Sequence, residues 1–377
     1  MQQILEWSYL GLSFLSLFCI AWILQVYYLF QYHLRIAAGK IKTPDHEMKP
    51  VSVIICARNE EKNLMNNIPV IMEQDYPEFE VIVVNDSSWD DTEAILKALS
   101  VSYPTLRVIN LDEEKQNMQG KKFALTLGIK AAKFETVLLT DADCTPISDQ
   151  WIRSMSAHMN SPKEIVLGFS PYKRLTGWLN KIIRYDTLNI GLNYLGFAKA
   201  GNPYMGVGRN LSYTKEVFFR VGGFKSHYSL ASGDDDLFIN QVANSRNTIV
   251  EFHPDAQTIS QPKKTWADWF TQKRRHFTTA PLYKSQHKNA LGLWPMSLVL
   301  LLVGTIGALV LKTGMLVVGI LWGVRYIIHL TILHKATTRL GQSKDLVWLS
   351  PFLEWHLLVL NIGLYITNLV RKPQKWN

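Results

Sequence analysis

Short apolar runs alternate with helical patterns between residues 51 and 141. The runs are nearly continuous and rich in β-branched residues, which is typical of parallel strands covered on both faces. Residues favoured at helix N-termini follow each run. The pattern predicts strands at 51–56, 81–84, 106–110 and 137–139, and helices at 61–73, 93–99 and 120–132. Four alternations predict an α/β fold with a doubly wound, parallel sheet.

Four longer apolar segments can each cross about 30 Å of hydrocarbon, at ~1.5 Å per residue. The first, Trp7 to Leu34, has no formally charged residue. A cleaved signal peptide would have a shorter apolar core after a basic start, whereas Glu6 precedes this segment and basic residues follow it. We therefore expect a retained N-terminal helix, and three further spans at 291–311, 313–334 and 346–370.

These patterns divide the chain into five parts. We expect a transmembrane helix at 1–34, a linker at 35–50, an α/β domain at 51–260, an amphipathic interface segment at 261–290 and a membrane domain of three helices at 291–377. A hydrophobic fraction of 47% with 19% charged residues agrees with a membrane protein.

Basic residues flank the apolar segments and predict their orientation. His33, Arg35, Lys40 and Lys42 lie at the end of the first span or after it, and Lys335, Arg339 and Lys344 lie in the last loop. The positive-inside rule places both groups, and hence the α/β domain, in the cytoplasm. One span before this domain and three after it would place both termini outside, but the basic residues Arg371, Lys372 and Lys375 oppose this. The sequence does not decide on which side of the membrane the C-terminus lies.

Arg325 and Glu354 are the only formally charged residues in the last two spans. Each lies about 12 to 14 Å into the membrane. An unpaired charge there costs on the order of 3 kcal/mol, so we expect an ion pair between consecutive helices. The pair could simply fix the hairpin, or Arg325 could face a polar cavity that admits an acceptor head group.

A net charge of +9 could indicate a nucleic-acid partner, but the basic residues cluster beside apolar segments. A membrane surface is the expected acidic partner, and we predict no nucleic-acid binding. Cys19, Cys56 and Cys144 are isolated and have neither disulfide nor zinc spacing.

Asp141 and Asp143 follow the apolar run Val137 to Leu139, where open α/β sheets bind ligands. Two carboxylates together with substrate phosphates are a usual ligand set for Mg²⁺ or Mn²⁺. The same pattern could instead cap the next helix.

The neighbouring motifs favour the metal. Val51-Ser-Val-Ile-Ile-x-Ala-x-Asn-Glu60, Asp86 before Ser-Ser-x-Asp-Asp-Thr, Gly120-Lys121 and Asp141-x-Asp143 occur in that order. Together they resemble family 2 glycosyltransferases of the GT-A fold, which implies a doubly wound mixed sheet. The resemblance implies that Ala57 and Glu60 line a nucleotide pocket, and that Asp86 binds the base, usually uracil. It implies further that Lys121 binds the nucleotide, Asp141 the sugar nucleotide and Asp143 the metal.

The second half of the 51–260 segment continues the resemblance. Gly206-Val-Gly-Arg-Asn-Leu-Ser-Tyr, Gly222-Gly-Phe and Gly233-Asp234-Asp235-Asp236-Leu follow in the family's order. The match implies that Asp235 is the catalytic base, with Asp234 beside it where glutamate is commoner. An acidic helix start is the alternative explanation. Residues 165–200 predict either a helix on the bilayer or a core helix.

Basic and aromatic residues are interleaved over residues 263–288, as in a helix that lies on anionic lipid. Within this segment Gln272-Lys-Arg-Arg275-His276 resembles the Gln-x-x-Arg-Trp motif of cellulose, chitin and hyaluronan synthases and ceramide glucosyltransferases. Gln272 and Arg275 match, whereas His276 replaces the tryptophan that contacts the acceptor sugar in that branch.

We therefore expect an integral membrane, metal-dependent, inverting glycosyltransferase, in a bacterial inner membrane, with a cytoplasmic catalytic domain. Its donor would be a nucleoside-diphosphate sugar, most simply a UDP-sugar, and its acceptor a lipid or membrane-associated glycan. A processive polysaccharide synthase is one alternative, and a catalytically silent nucleotide-sugar-binding protein is another. The sequence does not identify the sugar, the acceptor or protein partners.

Overall fold

The computed structural model describes residues 2–39, 48–112, 120–230 and 232–370. The strands are β1 Val51–Ala57, β2 Phe79–Asp86, β3 Leu106–Leu111, β4 Thr136–Asp141, β5 Cys144–Pro146, β6 Ile165–Leu167, β7 Leu211–Thr214, β8 Thr248–Val250 and β9 Thr258–Ser260. Seven of them form a sheet with the order β3-β2-β1-β4-β7-β6-β8, and β5 and β9 form a separate pair. In the large sheet β3, β2, β1 and β4 are parallel, and β7 runs antiparallel to β4 and β6. The predicted doubly wound mixed sheet is confirmed.

Side chains of the central strands alternate between two cores, because successive residues of a strand point to opposite faces. Val53 and Ile55 pack with the helices after β1 and β2, whereas Ile54 packs on the other face. Both faces are covered, which explains the continuous apolar runs.

Short and medium helices connect the strands. They are α3 Glu61–Met72, α4 Thr92–Ser102, α5 Lys121–Ala131, α6 Trp151–Ser156, α7 Trp178–Lys199, α8 Lys215–Arg220, α9 Asp236–Val242 and α10 Trp266–His276. The 165–200 segment contains β6 and α7, and most of α7 is buried. Of the two alternatives for this segment, the core helix is the one observed.

Among the described residues, four helices are long and apolar enough to cross a membrane. The first is α1 Gln2–Tyr28, which continues through a π-helical turn at Leu29–His33 into α2 Leu34–Ala37; the others are α11 Ser285–Val310, α12 Met315–Arg339 and α13 Asp345–Val370. The antiparallel helices α1 and α11 approach closely where Gly304 meets Phe18 and Gly307 meets Phe14, because glycine leaves room for the neighbouring helix.

The predicted ion pair between Arg325 and Glu354 is confirmed. The guanidinium donates to both carboxylate oxygens, at 2.6 and 3.1 Å, and to Gln25 Oε1 at 2.8 Å. It therefore joins α12 to α13 and to α1.

Both ends of α13 contact the α/β domain. Arg184 on α7 forms an ion pair with Asp345 at 3.1 Å, and Asn368 exchanges two 2.9 Å hydrogen bonds with Arg274 on α10. Asn368, near the end of α13, therefore lies against α10, and the side of the membrane taken by the C-terminus stays a prediction. Lys40, Lys42, Arg371, Lys372 and Lys375 lie outside the described residues.

Candidate active site

The carboxyl ends of β1, β2 and β4 bring the first predicted residues together. Cys56 pairs with Val84 on one side and with Asp141 on the other, so Ala57, Asp86 and Asp141 lie along one sheet edge. Glu60 is on the loop after β1, where burial and then the charges of Asp143 and Asp141 raise its pKa, while a hydrogen bond from Asn63 opposes the shift. This edge is the expected location for a nucleotide.

Lys121, at the start of α5, links two of the acidic motifs. Its ammonium lies 2.7 Å from Asp141 Oδ1 and 3.2 Å from Asp234 Oδ2. Burial alone would lower the pKa of Lys121, but these carboxylates raise it well above its usual value. The lysine is therefore charged and partly compensates the acidic cluster.

Asp143 lies in a setting that suits a cation. Its Oδ2 accepts a hydrogen bond from Ser260 at 3.0 Å, and burial followed by the charge of Asp141 raises its pKa. Within the described parts of the chain, no group of three His, Cys, Asp or Glu side chains forms a complete metal cage. Two carboxylates can nevertheless hold a hard divalent cation when substrate phosphates supply further oxygens. The donor set fits Mg²⁺ or Mn²⁺ on those terms.

Asp235 is fixed by the backbone around it. Its Oδ2 accepts from the Gly208 amide at 2.8 Å and its Oδ1 from the Asp236 amide at 2.7 Å. Burial, and then repulsion from Asp234 and Asp236, raise the pKa of Asp235 to about 7. A carboxylate with that pKa can accept a proton near neutral pH.

The carboxylate of Asp236, next to Asp235, accepts hydrogen bonds from two residues that belong to none of the predicted motifs. Asp236 Oδ2 accepts from Tyr283 Oη at 2.7 Å and from the Thr279 hydroxyl. Thr279 and Tyr283 precede α11, so the acidic loop is anchored to the beginning of a membrane helix. No sequence signal identified them, since they are more than forty residues away along the chain.

The predicted Gln-x-x-Arg motif lies on α10 and faces the acidic loop across a cavity. Gln272 donates to Tyr172 Oη at 3.2 Å, and Lys273 forms a buried ion pair with Asp186 on α7 at 2.8 Å. The Arg209 guanidinium stacks on Tyr172 at 4.4 Å. Arg209 Nη1 and Arg275 Nε are buried without a hydrogen-bond partner among the described residues. These donors suit an anionic ligand such as a diphosphate.

The cavity has a volume of about 650 Å³ and extends from the acidic loop to the membrane helices. The predicted site residues that line it are Lys121, Asp141, Asp143, Asp234, Asp235, Gln272 and Arg275. Ala57, Glu60 and Asp86 do not line it and lie further along the sheet edge. No role was predicted for Tyr172, Asp186, Arg209 and Lys273, although Arg209 and Lys273 lie within two of the motifs, because their contacts join distant segments.

Several known proteins are similar to this chain in sequence or in fold. Residues 52–225 match the profile described as Glycosyl transferase family 2. The chain is 27% identical to "Probable glycosyltransferase YdaM" of Bacillus subtilis (strain 168) over 61% of this chain and 54% of that protein. It is 28% identical to "4,4'-diaponeurosporenoate glycosyltransferase" of Staphylococcus aureus (strain MRSA252) over 50% of each chain.

A solved structure has a similar fold over nearly the whole chain. "Mannosyltransferase PcManGT from Pyrobaculum calidifontis in complex with GDP-Man and Mn2+" superposes with a TM-score of 0.58 at 20% identity, covering 89% of this chain and 98% of the other. The match to the two curated relatives spans only about half of their length. Residues 52–225 therefore resemble the family 2 glycosyltransferases, the fold is of the GT-A type, and the described residues include four helices long and apolar enough to span a membrane.

Proposed function

We propose that this protein is a membrane-embedded, metal-dependent, inverting glycosyltransferase. It would transfer a sugar from a nucleoside-diphosphate sugar, in the first instance a UDP-sugar, to a lipid or membrane-associated glycan. The observation that carries the proposal is Asp235, a fixed carboxylate with a pKa of about 7, in a cavity that adjoins both the Asp141–Asp143 pair and the membrane helices.

In the proposed reaction, the nucleotide lies along the sheet edge formed by Ala57, Glu60 and Asp86. Asp235 accepts the proton of the acceptor hydroxyl as its oxygen bonds to the anomeric carbon. The bond from that carbon to the diphosphate breaks, and the diphosphate departs with the electron pair on the opposite face. In-line displacement of this kind inverts the anomeric carbon.

Several cationic groups stabilise the departing diphosphate in this scheme. Lys121, Arg209 and Arg275 can donate to its oxygens, and the last two have buried donors without a partner in the described residues. A divalent cation held by Asp143 and Asp141 would supply further charge stabilisation. The similar mannosyltransferase structure, which contains GDP-Man and Mn²⁺, supports this assignment.

Two alternatives make different predictions. A processive synthase would retain its product and extend it, whereas the cavity of about 650 Å³ is within the ~300–1,000 Å³ range of small-molecule sites and suits single transfer. A silent binding protein would have no need of a base, whereas Asp235, Lys121 and Arg275 lie together here.

The test is a screen of the purified full-length protein with UDP-, GDP- and other nucleotide sugars, with and without Mn²⁺ or Mg²⁺, in lipid extract. We expect metal-dependent release of a nucleoside diphosphate and one new glycosylated product. Binding of a donor without any release would indicate the silent binder, and a ladder of products would indicate the synthase.

A further inference from the structure

Two membrane helices form the end of the cavity that is farthest from the acidic loop. α11 contributes Leu291, Trp294, Pro295 and Leu298, and α13 contributes Glu354, Leu357, Leu358, Asn361, Ile362 and Tyr365. On each helix these positions are three or four apart, so each helix presents one face to the cavity. Most of these side chains are apolar, in contrast to the charged opposite end.

The two helices that form the walls at this end, α11 and α13, pack against different parts of the protein. α11 packs closely on α1, whereas α13 is held by α7, α10 and α12. The cavity lies between the two helices. Ile362 is 44% exposed, and its neighbour Val359 is 66% exposed on the outer face of α13. The apolar end of the cavity therefore adjoins the apolar surface that would face lipid.

The polar groups of the cavity disfavour an acceptor that brings its own negative charge. Among the lining residues that are described, carboxylates outnumber cations. Lys273 is paired with Asp186, and Lys121 with Asp141 and Asp234. Arg209 and Arg275 remain, and the proposed reaction uses them for the donor diphosphate.

One buried oxygen without a hydrogen-bond donor, on Asn361, indicates which polar group the head group of the lipid carries. Asn361 Oδ1 is buried and has no hydrogen-bond partner among the described residues, and Asn361 lines the cavity. A buried carbonyl oxygen without a donor is costly. A hydroxyl suits this side chain in full, because it can donate to Oδ1 and can also accept from the Asn361 amide N–H.

We propose, resting on the proposed function, that the acceptor is a lipid with an uncharged, hydroxyl-bearing head group, which enters sideways between α11 and α13. Its head group occupies the polar middle of the cavity, near Asn361 and below Asp235. The first part of its chain lies between Leu298 and Ile362, and the remainder stays in the bilayer. The apolar faces of both helices bind the chain without regard to its exact structure.

Photolabelling of the full-length protein in phosphatidylcholine nanodiscs tests this. The probes are a long-chain alcohol that carries a diazirine and the matching alkyl phosphate. The test variant is Ile362→Trp, which fills the passage at a partly exposed position. The control is Val359→Trp, on the outer face of the same helix.

We expect the alcohol to label peptides from α11 and α13 in the native protein and in Val359→Trp. Labelling should fall on the order of tenfold in Ile362→Trp, which corresponds to about 1.4 kcal/mol, because the larger side chain occupies the space that the lipid chain would fill. The alkyl phosphate should label these peptides less. Equal labelling of Ile362→Trp and the native protein, stronger labelling by the phosphate, or competition by water-soluble glycans would overturn the proposal.

Donor-dependent release of nucleoside diphosphate, measured on the same samples, separates this proposal from the underlying function. Release without labelling between α11 and α13 would contradict the lipid entry alone. Labelling at that place without release from any donor would contradict the transferase function and leave the lipid site standing.

Discussion

Asp235 lies between two acidic neighbours, and its protonation sets the pH dependence of the proposed reaction. Burial and those neighbours raise its pKa to about 7. A raised pKa means that the carboxyl group is protonated below that pH and cannot accept a proton. We expect kcat/KM to rise with pH up to about 7 and then level off. A rate that is flat from about pH 6 to 8 would show that Asp235 is not the group that titrates.

Asp143 gives a second prediction at the scale of one residue. Asp143→Ala should abolish transfer, because the remaining carboxylate of Asp141 already contacts Lys121. We expect EDTA to abolish transfer by the native protein and Mn²⁺ or Mg²⁺ to restore it, but no metal to restore the variant. Asp149→Ala, at an exposed position, is the control. Normal turnover of Asp143→Ala in excess EDTA would refute the metal site.

Some residues of the candidate site could be predicted from the sequence and others could not, and the difference has a physical reason. Asp86, Asp141 and Lys121 were identifiable because the ends of parallel strands meet at one edge and because their motifs have a local spacing. Tyr172 lies outside the motifs and Arg209 lies within one, but no pattern predicts their mutual contact, because it joins distant segments. Thr279 and Tyr283 were missed for the same reason.

The helices α12 and α13 are joined by the buried ion pair of Arg325 and Glu354, so the folded state should lose stability when one partner is lost. Arg325→Glu would place two carboxylates together between α12 and α13, and an uncompensated buried charge costs about 3–5 kcal/mol. We expect a sharp fall in folded yield and melting temperature in detergent, and recovery in the double variant Arg325→Glu, Glu354→Arg. The depth of the two charges predicted this pair, whereas the third partner, Gln25 on α1, had no signal in the sequence.

If the double variant is no better folded than the single one, the pair is not the main interaction at this position. If it folds but does not transfer, Arg325 or Glu354 has a role in acceptor binding, since Glu354 also lines the cavity.

The end of α13 provides a prediction about orientation. Because Asn368 contacts α10, we expect Val370 to lie on the same side of the membrane as the α/β domain. In a background without Cys19, Cys56 and Cys144, an impermeant thiol reagent should label Val370→Cys and Lys97→Cys, on α4, from the same side. Lys312→Cys, between α11 and α12, should react from the other side. Labelling of Val370→Cys together with Lys312→Cys would contradict this arrangement. Hydropathy could not settle it, because length and composition do not report which surface a helix packs against.

At the scale of the whole molecule, the acidic loop is tied to the membrane domain through Asp236, Thr279 and Tyr283, while α10 is tied to α7 through Lys273 and Asp186. The acidic loop and the membrane helices therefore line one continuous cavity. The sequence predicted both halves, from the strand pattern and from the apolar segments. It could not predict the cavity between them, which depends on how α7, α10, α11 and α13 pack.

The most direct test of the central claim compares donor binding with transfer in Asp235→Asn, using the donor found in the screen and Asp149→Asn as control. The amide is nearly isosteric but accepts no proton at neutral pH, so transfer should fall by about 10²–10⁴-fold. Donor affinity measured by calorimetry should stay close to that of the native protein, because Ala57, Glu60 and Asp86, the residues proposed to hold the nucleotide, lie further along the sheet edge. A loss of donor affinity equal to the loss of rate would place Asp235 in the donor site, and undiminished transfer would show that it is not the base.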